Sequence, residues 1–256
     1  INLAGHAGLD IDFYYYKIKE HMGSGDIIVL PLEFEYYKIN KTTDWFINNM
    51  LAWGWTDYLR KIDFIEWAKF IYHAPPKRIF SGIRVMNRPN PLAKEEVIVQ
   101  TVATKREATW KGYSYRSLNS SGDITVDAGP TREATTISKK GFNYINNIKI
   151  TDHFLRFYNK ISDLAVQKNG RVILTWPVSI KNQKFNLSDQ IHRNKIREFA
   201  SQLSAHSIPI YCDPGSFNLD VQYFFNTKYH LNKKGSILRS QRLGECVNEI
   251  LEKNLP

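Results

Sequence analysis

The sequence predicts an α/β fold, a three-layer doubly wound sheet of mostly parallel strands, and two observations lead to this prediction. Short apolar runs of strand length alternate along the chain with segments whose apolar residues recur at helical spacing. The run at 26–32 is apolar almost without a break, as expected of a parallel strand buried on both faces. Alternating strands and helices of this kind are typical of flavodoxin-like sheets covered by helices on both sides.

Length and composition favour one globular domain. A chain of 256 residues suits a single domain with an insertion, and 43% hydrophobic residues is ordinary for a folded protein. The formal net charge of +10 attracts polyanions such as an acidic polysaccharide or an anionic membrane face. Because the cations are scattered and form no basic helix or arm, specific nucleic-acid binding is not favoured. No apolar run reaches about 18 residues, so no membrane span is predicted.

The first half of the chain contains regular elements and then a long irregular stretch. The predicted elements are a strand ending near residue 4, a tight turn at 5–8, a helix at 11–22, the strand at 26–32 and aromatic helical segments over 42–74. Asp10 precedes the first of these helices and is predicted to cap it. Residues 77–150 show little periodicity and several prolines, which predicts an irregular insertion or cap with a short helix near 92–106.

Regular elements return after residue 150. The predicted elements are a helix from Thr151 or Asp152 to about 168, a strand at 171–176, a helix opened by Ser188, a strand at 208–211 and a last helix at about 234–253.

Two cysteines, Cys212 and Cys246, lack metal-ligand spacing. They are compatible either with two buried thiols or with one disulfide. Since there is also no Gly-x-Gly-x-x-Gly motif, neither a metal nor a cofactor is predicted.

Candidate functional residues follow the predicted strands, where ligands bind in doubly wound sheets. His230 precedes the last helix and can take a proton from a hydroxyl near neutral pH; its alternative role is that of a helix-cap residue. Glu33 and Glu35 follow a buried strand and suit acid–base work, or else one is a buried structural carboxylate and the other is solvated. The turn from Gly5 to Gly8 can offer backbone N–H groups to an oxyanion. A serine nucleophile in a Gly-x-Ser-x-Gly or Gly-Asp-Ser setting is absent from the sequence.

Three stretches together resemble one protein family. These stretches are NLAGHAGL at 2–9, GDIIVLPLEFEYY at 25–37 and NTKYHLNKKG at 226–235. They are similar to the bacterial SGNH-hydrolase-like proteins, a group that includes GDSL esterases and carbohydrate O-acetyltransferases. The resemblance covers the order of elements over most of the chain outside about 77–150.

The resemblance implies acyl transfer by a serine, a base and an oxyanion hole. In position, His230 matches the base, and Gly8, or else Gly5, matches an oxyanion glycine. The segment Glu33–Glu35 takes the place of a block whose usual asparagine is absent. Where relatives carry an acid before the histidine, this chain has Asn226, whose carbonyl oxygen can still accept a hydrogen bond from the imidazole. Asp213 and Asp220 are the other acids expected near His230.

The resemblance also implies a position for the serine, an activity and a compartment. The serine block is expected upstream of Ile1, because the chain begins at what resembles the family's second strand. The implied activity is hydrolysis or transfer of O-acyl groups on a bacterial surface polysaccharide, and the alternative is a catalytically inactive domain that binds glycan or a partner protein. The periplasm or cell envelope is the expected compartment, with the cytoplasm left open.

Overall fold

The structure is a computed structural model, and it describes residues 8–40, 43–53, 56–77, 79–80 and 129–253. The fold divides into two compact units, each built from separate segments of the chain. The helical unit comprises Ile1–Asp26, Lys38–Glu107 and Thr151–Gly170. The sheet unit comprises Ile27–Tyr37, Ala108–Ile150 and Arg171–Pro256. The single domain with an insertion stays a prediction.

The described residues form an α/β fold with short parallel strands. In chain order the helices are α1 (Ile11–His21), α2 (Asp44–Trp53), α3 (Thr56–Lys61), α4 (Phe64–His73), α5 (Arg132–Lys140), α6 (Asp152–Gln167), α7 (Gln190–Ser204) and α8 (Lys233–Glu252). The strands are β1 (Ile27–Leu30), β2 (Arg171–Leu174), β3 (Ser179–Ile180) and β4 (Asn218–Leu219). Among the described residues, no helix combines the length and the apolar character needed to cross a membrane.

Helix α1 confirms the predicted helix at 11–22 and Asp10 as its N-cap residue, but the carboxylate of Asp10 does not cap the helix. Asp10 occupies the N-cap position without a side-chain bond to the helix. Its carboxylate instead accepts a hydrogen bond from the backbone N–H of Thr43, at 3.2 Å. In the first turn of the helix, Oδ1 of Asp12 accepts a hydrogen bond from the N–H of Phe13 at 2.8 Å. A long-range contact has therefore replaced the local cap that the sequence suggested.

Helix α6 begins and ends as predicted. Thr151 is its N-cap, and the hydroxyl accepts a hydrogen bond from the N–H of Phe154 at 3.3 Å. Asn169 takes a left-handed conformation with φ of 53°, which asparagine tolerates better than most residues at the end of a helix. The N–H of Gly170 then bonds to the carbonyl of Ala165 at 2.8 Å. These local signals were sufficient to fix both ends of the helix.

Buried polar groups lie among the helices of the helical unit. Asp12 accepts a hydrogen bond at 2.8 Å from the hydroxyl of Tyr58. Burial, with the charge of Asp12, raises the pKa of Asp10 to about 7, although hydrogen bonds from Thr43 lower it. His153 is also buried, and its Nδ1 lies 3.3 Å from Nη2 of Arg156. Burial and the charge of Arg156 lower the pKa of His153 to about 4.

In the sheet unit, β1 pairs with β2 in parallel, from Ile27 opposite Arg171 to Leu30 opposite Leu174. The strand is shorter than the predicted 26–32, and Ile27 is exposed, so the prediction that the whole run is buried on both faces is wrong. The predicted strand at 208–211 is reduced to one parallel bridge, between Thr175 and Tyr211. The parallel pair β3 and β4 was not predicted.

Within the predicted irregular stretch 77–150, the described residues 129–150 contain a regular helix. Helix α5 covers Arg132–Lys140, and its Ala134 is fully buried in a hydrophobic cluster with Ile180 and Phe224. The partly buried Ile137, three residues later on the same helix, also packs against this cluster. Two apolar residues at one helical spacing are too short a pattern to predict a helix from the sequence. The short helix predicted near 92–106 lies outside the described residues.

The two C-terminal helices begin at side-chain caps. Asp189 caps α7 by accepting from the N–H of Ile191 at 2.8 Å, one residue after the predicted Ser188. Asn232 caps α8 by accepting from the N–H of Gly235 at 3.0 Å. Cys212 and Cys246 form a disulfide that ties α8 to the segment after Tyr211, which settles the alternative that the sequence left open.

Candidate functional site

A tight hairpin-like loop carries the predicted base. Phe224 and Leu231 form an antiparallel bridge, and the N–H of Phe225 bonds to the carbonyl of His230 at 2.8 Å. The chain therefore reverses over residues 226–229, immediately before the N-terminus of α8. This segment, residues 226–230, is called the base loop below.

Within the base loop, His230 is oriented by Asn226. The Nδ1 atom of His230 lies 2.9 Å from Oδ1 of Asn226. Because an amide oxygen can only accept, Nδ1 carries the hydrogen and Nε2 keeps its lone pair. Burial lowers the pKa of His230, so the imidazole is neutral at pH 7. A neutral imidazole with a fixed tautomer is the state that a general base requires.

The hydroxyl of Thr227 supports the same loop from inside. It accepts hydrogen bonds from the N–H of His230 at 3.1 Å and from the N–H of Tyr229 at 3.3 Å. Two backbone donors that the reversal leaves without a ladder partner are thereby satisfied. The backbone position of His230 is therefore set within the loop itself.

Glu35 holds the base loop from the other side. The hydroxyl of Tyr229 donates to Oε2 of Glu35 at 2.6 Å, and Lys228 forms an ion pair with Oε1 of the same carboxylate. The ammonium of Lys228 also lies 4.3 Å from the centre of the Phe142 ring, within the range of a cation–π contact. One carboxylate thus binds two consecutive residues next to His230.

Tyr144 joins the base loop to β3. Its hydroxyl donates to the carbonyl of Lys228 at 3.2 Å and accepts from the N–H of Ile180 at 2.8 Å. Burial raises the pKa of Tyr144, so the phenol stays protonated and keeps both bonds. The loop is consequently anchored to the sheet through its backbone as well as through side chains.

Glu33 has an unusual protonation behaviour for a carboxyl group. Burial and the neighbouring charge of Glu35 raise its pKa to about 7, while Lys228 acts in the opposite direction. A half-buried carboxyl that titrates near neutral pH can both donate and accept a proton under physiological conditions. Glu33 is therefore a candidate for a second proton-transfer group in the sheet unit, with its carboxyl group near the carboxylate of Glu35.

The structure brings together some of the predicted residues. Asn226 and His230 are in contact, and Glu35 binds the base loop. Gly8 belongs to the helical unit and has a φ of 82°, whereas Gly5 lies outside the described residues. The pairing of either glycine with His230 stays a prediction. Asp213 and Asp220 are exposed, and an amide rather than a carboxylate lies on Nδ1.

Sequence analysis missed four residues that hold this site. Thr227, Lys228 and Tyr229 lie inside the stretch 226–235 that carried the family resemblance, so their position next to His230 was a usable signal. Tyr144 gave no signal, because it lies in a region without periodicity and its contact with Lys228 spans 84 residues.

The described residues contain no group of three or more histidine, cysteine or acidic side chains arranged to hold a metal ion. Comparison of the chain with family models, with curated proteins and with solved structures found no match.

Proposed function

We propose that the protein hydrolyses or transfers O-acyl groups, acetyl in the first instance, on a bacterial surface polysaccharide. The observation that supports this most directly is the 2.9 Å contact between His230 Nδ1 and Asn226 Oδ1. It leaves Nε2 of a neutral imidazole as the proton acceptor, at the chain position where the SGNH-like family has its base. The three-layer doubly wound arrangement of that family is part of the proposal.

In the proposed reaction, Nε2 of His230 takes the proton of a serine hydroxyl while its oxygen attacks the ester carbonyl. The tetrahedral adduct then collapses with cleavage of the bond between the acyl carbon and the sugar oxygen, and that oxygen takes the proton from Nε2 and leaves as a hydroxyl. Water, or the hydroxyl of an acceptor sugar, attacks the acyl-serine in the same manner, with His230 again as the base. The family resemblance supplies this serine, and no serine of residues 1–256 lies in a Gly-x-Ser-x-Gly or Gly-Asp-Ser setting.

The test is an acetyl-ester assay on the protein expressed from its full reading frame. Replacing His230 by alanine should lower kcat for p-nitrophenyl acetate by about 10² or more, the usual contribution of a general base. His206→Ala is the matched control, because this histidine is exposed in the same unit. Equal rates for the wild type and His230→Ala would remove His230 from the mechanism.

A second candidate function is supported by the chemistry of Asn226. An amide cannot stabilise the imidazolium ion as a carboxylate does, and in a serine triad this exchange lowers turnover by about 10⁴. The protein would then be a catalytically inactive domain that binds glycan. An enzyme is expected to lose activity in His230→Ala. An inactive domain is expected to show no esterase activity in the wild type while still binding an acetylated polysaccharide.

A further inference from the structure

Helix α4 exposes several of its large apolar side chains and buries a charged one. Phe64 is 79% exposed, Ile65 is 65% exposed and Tyr72 is 85% exposed. Glu66, on the opposite side, is only 5% exposed. A surface helix ordinarily turns its apolar stripe toward the core and its charges toward water. In α4, by contrast, Phe64, Ile65 and Tyr72 face water, and the charged Glu66 faces the interior.

The cause lies in the contacts of the buried side. Oε1 of Glu66 pairs with Nη1 of Arg156 on α6 at 2.7 Å and with Nζ of Lys69 at 3.1 Å. Phe70, one turn further along, is buried in the same unit. Asp63 caps the helix by accepting from the N–H of Glu66 at 2.9 Å. The rotation of α4 about its axis is therefore fixed by an ion pair, one buried ring and a cap.

The consequence is a continuous apolar surface on the outer side of the helix, which is called the α4 face. It is formed by the exposed residues Phe64, Ile65, Trp67, Ala68 and Tyr72. At about 100° per residue these positions cover roughly 160° of the helix circumference. The rings of Phe64 and Trp67 stack with an interplanar angle of 17° and centroids 6.2 Å apart. An exposed apolar surface of this kind marks an interaction site.

Ion-pair clusters of net positive charge flank the α4 face. Lys69 shares Glu66 with Arg156, and Lys61 at the end of α3 shares Glu20 with Lys17, so each cluster holds two cations and one carboxylate. The exposed Lys77 follows α4, and Asp63 at its N-terminus lies 3.8 Å from Lys160. The chain as a whole carries a formal charge of +10. Two copies of such a chain would bring like charges together if this face paired with itself, whereas an anionic surface would attract it.

We propose that the α4 face binds the surface of an anionic lipid bilayer, with α4 lying in the interface and its apolar side chains entering the headgroup region. The composition of the face fits this environment, because tryptophan and tyrosine favour the boundary between lipid and water and lysine side chains can reach anionic headgroups. The binding is peripheral and involves no spanning helix. It does not depend on the acyl-transfer proposal, since the two features belong to different units.

Vesicle sedimentation with the full chain tests the proposal. The wild type is expected to bind vesicles of equimolar phosphatidylcholine and phosphatidylglycerol, and to bind phosphatidylcholine vesicles more weakly. The binding should fall as salt rises, because screening weakens attraction to the headgroups. The double variant Phe64→Ser with Ile65→Ser is expected to lower the partition coefficient by about 10-fold or more, since two large apolar side chains no longer enter the bilayer.

Two further variants control this experiment. Ile191→Ser alters a side chain that is 66% exposed on α7 and should leave binding unchanged. Tyr72→Ser changes the α4 face at one exposed position near its C-terminal end and should weaken binding without disturbing the fold, as judged by the circular dichroism melt. Three results would overturn the proposal: no binding to the anionic vesicles, equal binding by the double variant, or a dimer that the double variant dissociates.

Discussion

The hydroxyl of Tyr229 donates a 2.6 Å hydrogen bond to Oε2 of Glu35, a residue 194 positions earlier in the chain. This bond joins the segment after β1 to the base loop that carries His230. The same carboxylate also binds Lys228, so one side chain determines where two neighbours of the candidate base lie. The first prediction concerns this contact.

Replacing Tyr229 by phenylalanine should lower the free energy of unfolding by about 1–2 kcal/mol, because a hydrogen bond to a charged group is lost while the ring remains. Urea denaturation of the full chain measures the change. Tyr72→Phe is the matched control, since this hydroxyl lies on an exposed side chain, and surface changes alter stability by less than about 0.5 kcal/mol. Identical midpoints for the two variants would show that the Glu35 contact adds nothing to stability.

Two glycines of α8 should respond to alanine in opposite directions. A Cβ on Gly235 would lie 2.1 Å from the carbonyl oxygen of Tyr223, whereas a Cβ on Gly244 would meet nothing within 4 Å. Gly235→Ala is expected to destabilise the protein by about 1–3 kcal/mol through overpacking. Gly244→Ala should stabilise it by about 0.5–1 kcal/mol through helix propensity. Thermal melts of both variants give the comparison, and destabilisation of equal size in both would contradict the close approach at Gly235.

Asp10 should make stability fall as the pH rises. Its pKa is raised from 3.8 to about 7 by burial and by the charge of Asp12, so the folded state holds the proton more firmly than the unfolded state. The associated stability is complete below pH 4 and is lost as the pH approaches 7. At about 1.4 kcal/mol per pKa unit the loss is on the order of a few kcal/mol.

The measurement is the free energy of unfolding of wild type and Asp10→Asn between pH 4 and pH 7. The free energy of unfolding of Asp10→Asn should fall less steeply as the pH rises, because asparagine retains an acceptor for Thr43 without titrating. Asp163→Asn replaces an exposed carboxylate in the same unit and serves as the control. Parallel pH profiles for wild type and Asp10→Asn would contradict the prediction.

The contribution of His153 to the free energy of unfolding should have the opposite pH dependence. Burial and the charge of Arg156, with that of Lys69, lower its pKa to about 4, although Glu66 acts in the other direction. Protonation therefore favours the unfolded state, and stability that is complete above pH 6.5 is lost as the pH falls toward 4. The loss is on the order of a few kcal/mol at about 1.4 kcal/mol per pKa unit.

His153→Phe keeps an aromatic ring beside Phe157 and removes the titrating group. The difference in unfolding free energy between wild type and this variant should shift in favour of the variant as the pH falls from 6.5 to 4. His206→Phe changes an exposed histidine and provides the comparison. A pH-independent difference between wild type and His153→Phe would show that His153 stays neutral, or charges equally, in both states.

Local signals predicted the helices well. The helices at 11–21 and 152–167 agree with their apolar periodicity, and Thr151 and Asn169 mark the ends of the second one. The parallel pairing of β1 with β2 agrees with two apolar runs of strand length. Local signals placed Asp10 at the N-cap of α1 but missed that Thr43 binds its carboxylate. They also missed α5, because only Ala134 and Ile137 of that helix pack against the hydrophobic cluster.

The candidate site was predicted in part. His230 and Asn226 lie four positions apart in one loop, so their contact was within reach of a reading along the chain. The anchoring of the base loop by Glu35 and Tyr144 could not be predicted in this way, because it depends on contacts between segments 84 to 194 residues apart. Spacing in the sequence carries no information about such distances.

By itself, the sequence determined which segments are helical, where several of them begin and end, and that a histidine precedes the last helix. These properties depend on neighbours within one or two helical turns. Only the tertiary structure decided that Cys212 pairs with Cys246, that Glu35 holds the base loop and that α4 turns its apolar side outward. Each of these depends on which distant groups meet when the chain is packed. In α4, Glu66 is buried against the half-exposed Arg156 and Phe70 is buried beside it, which leaves Phe64 and Tyr72 exposed.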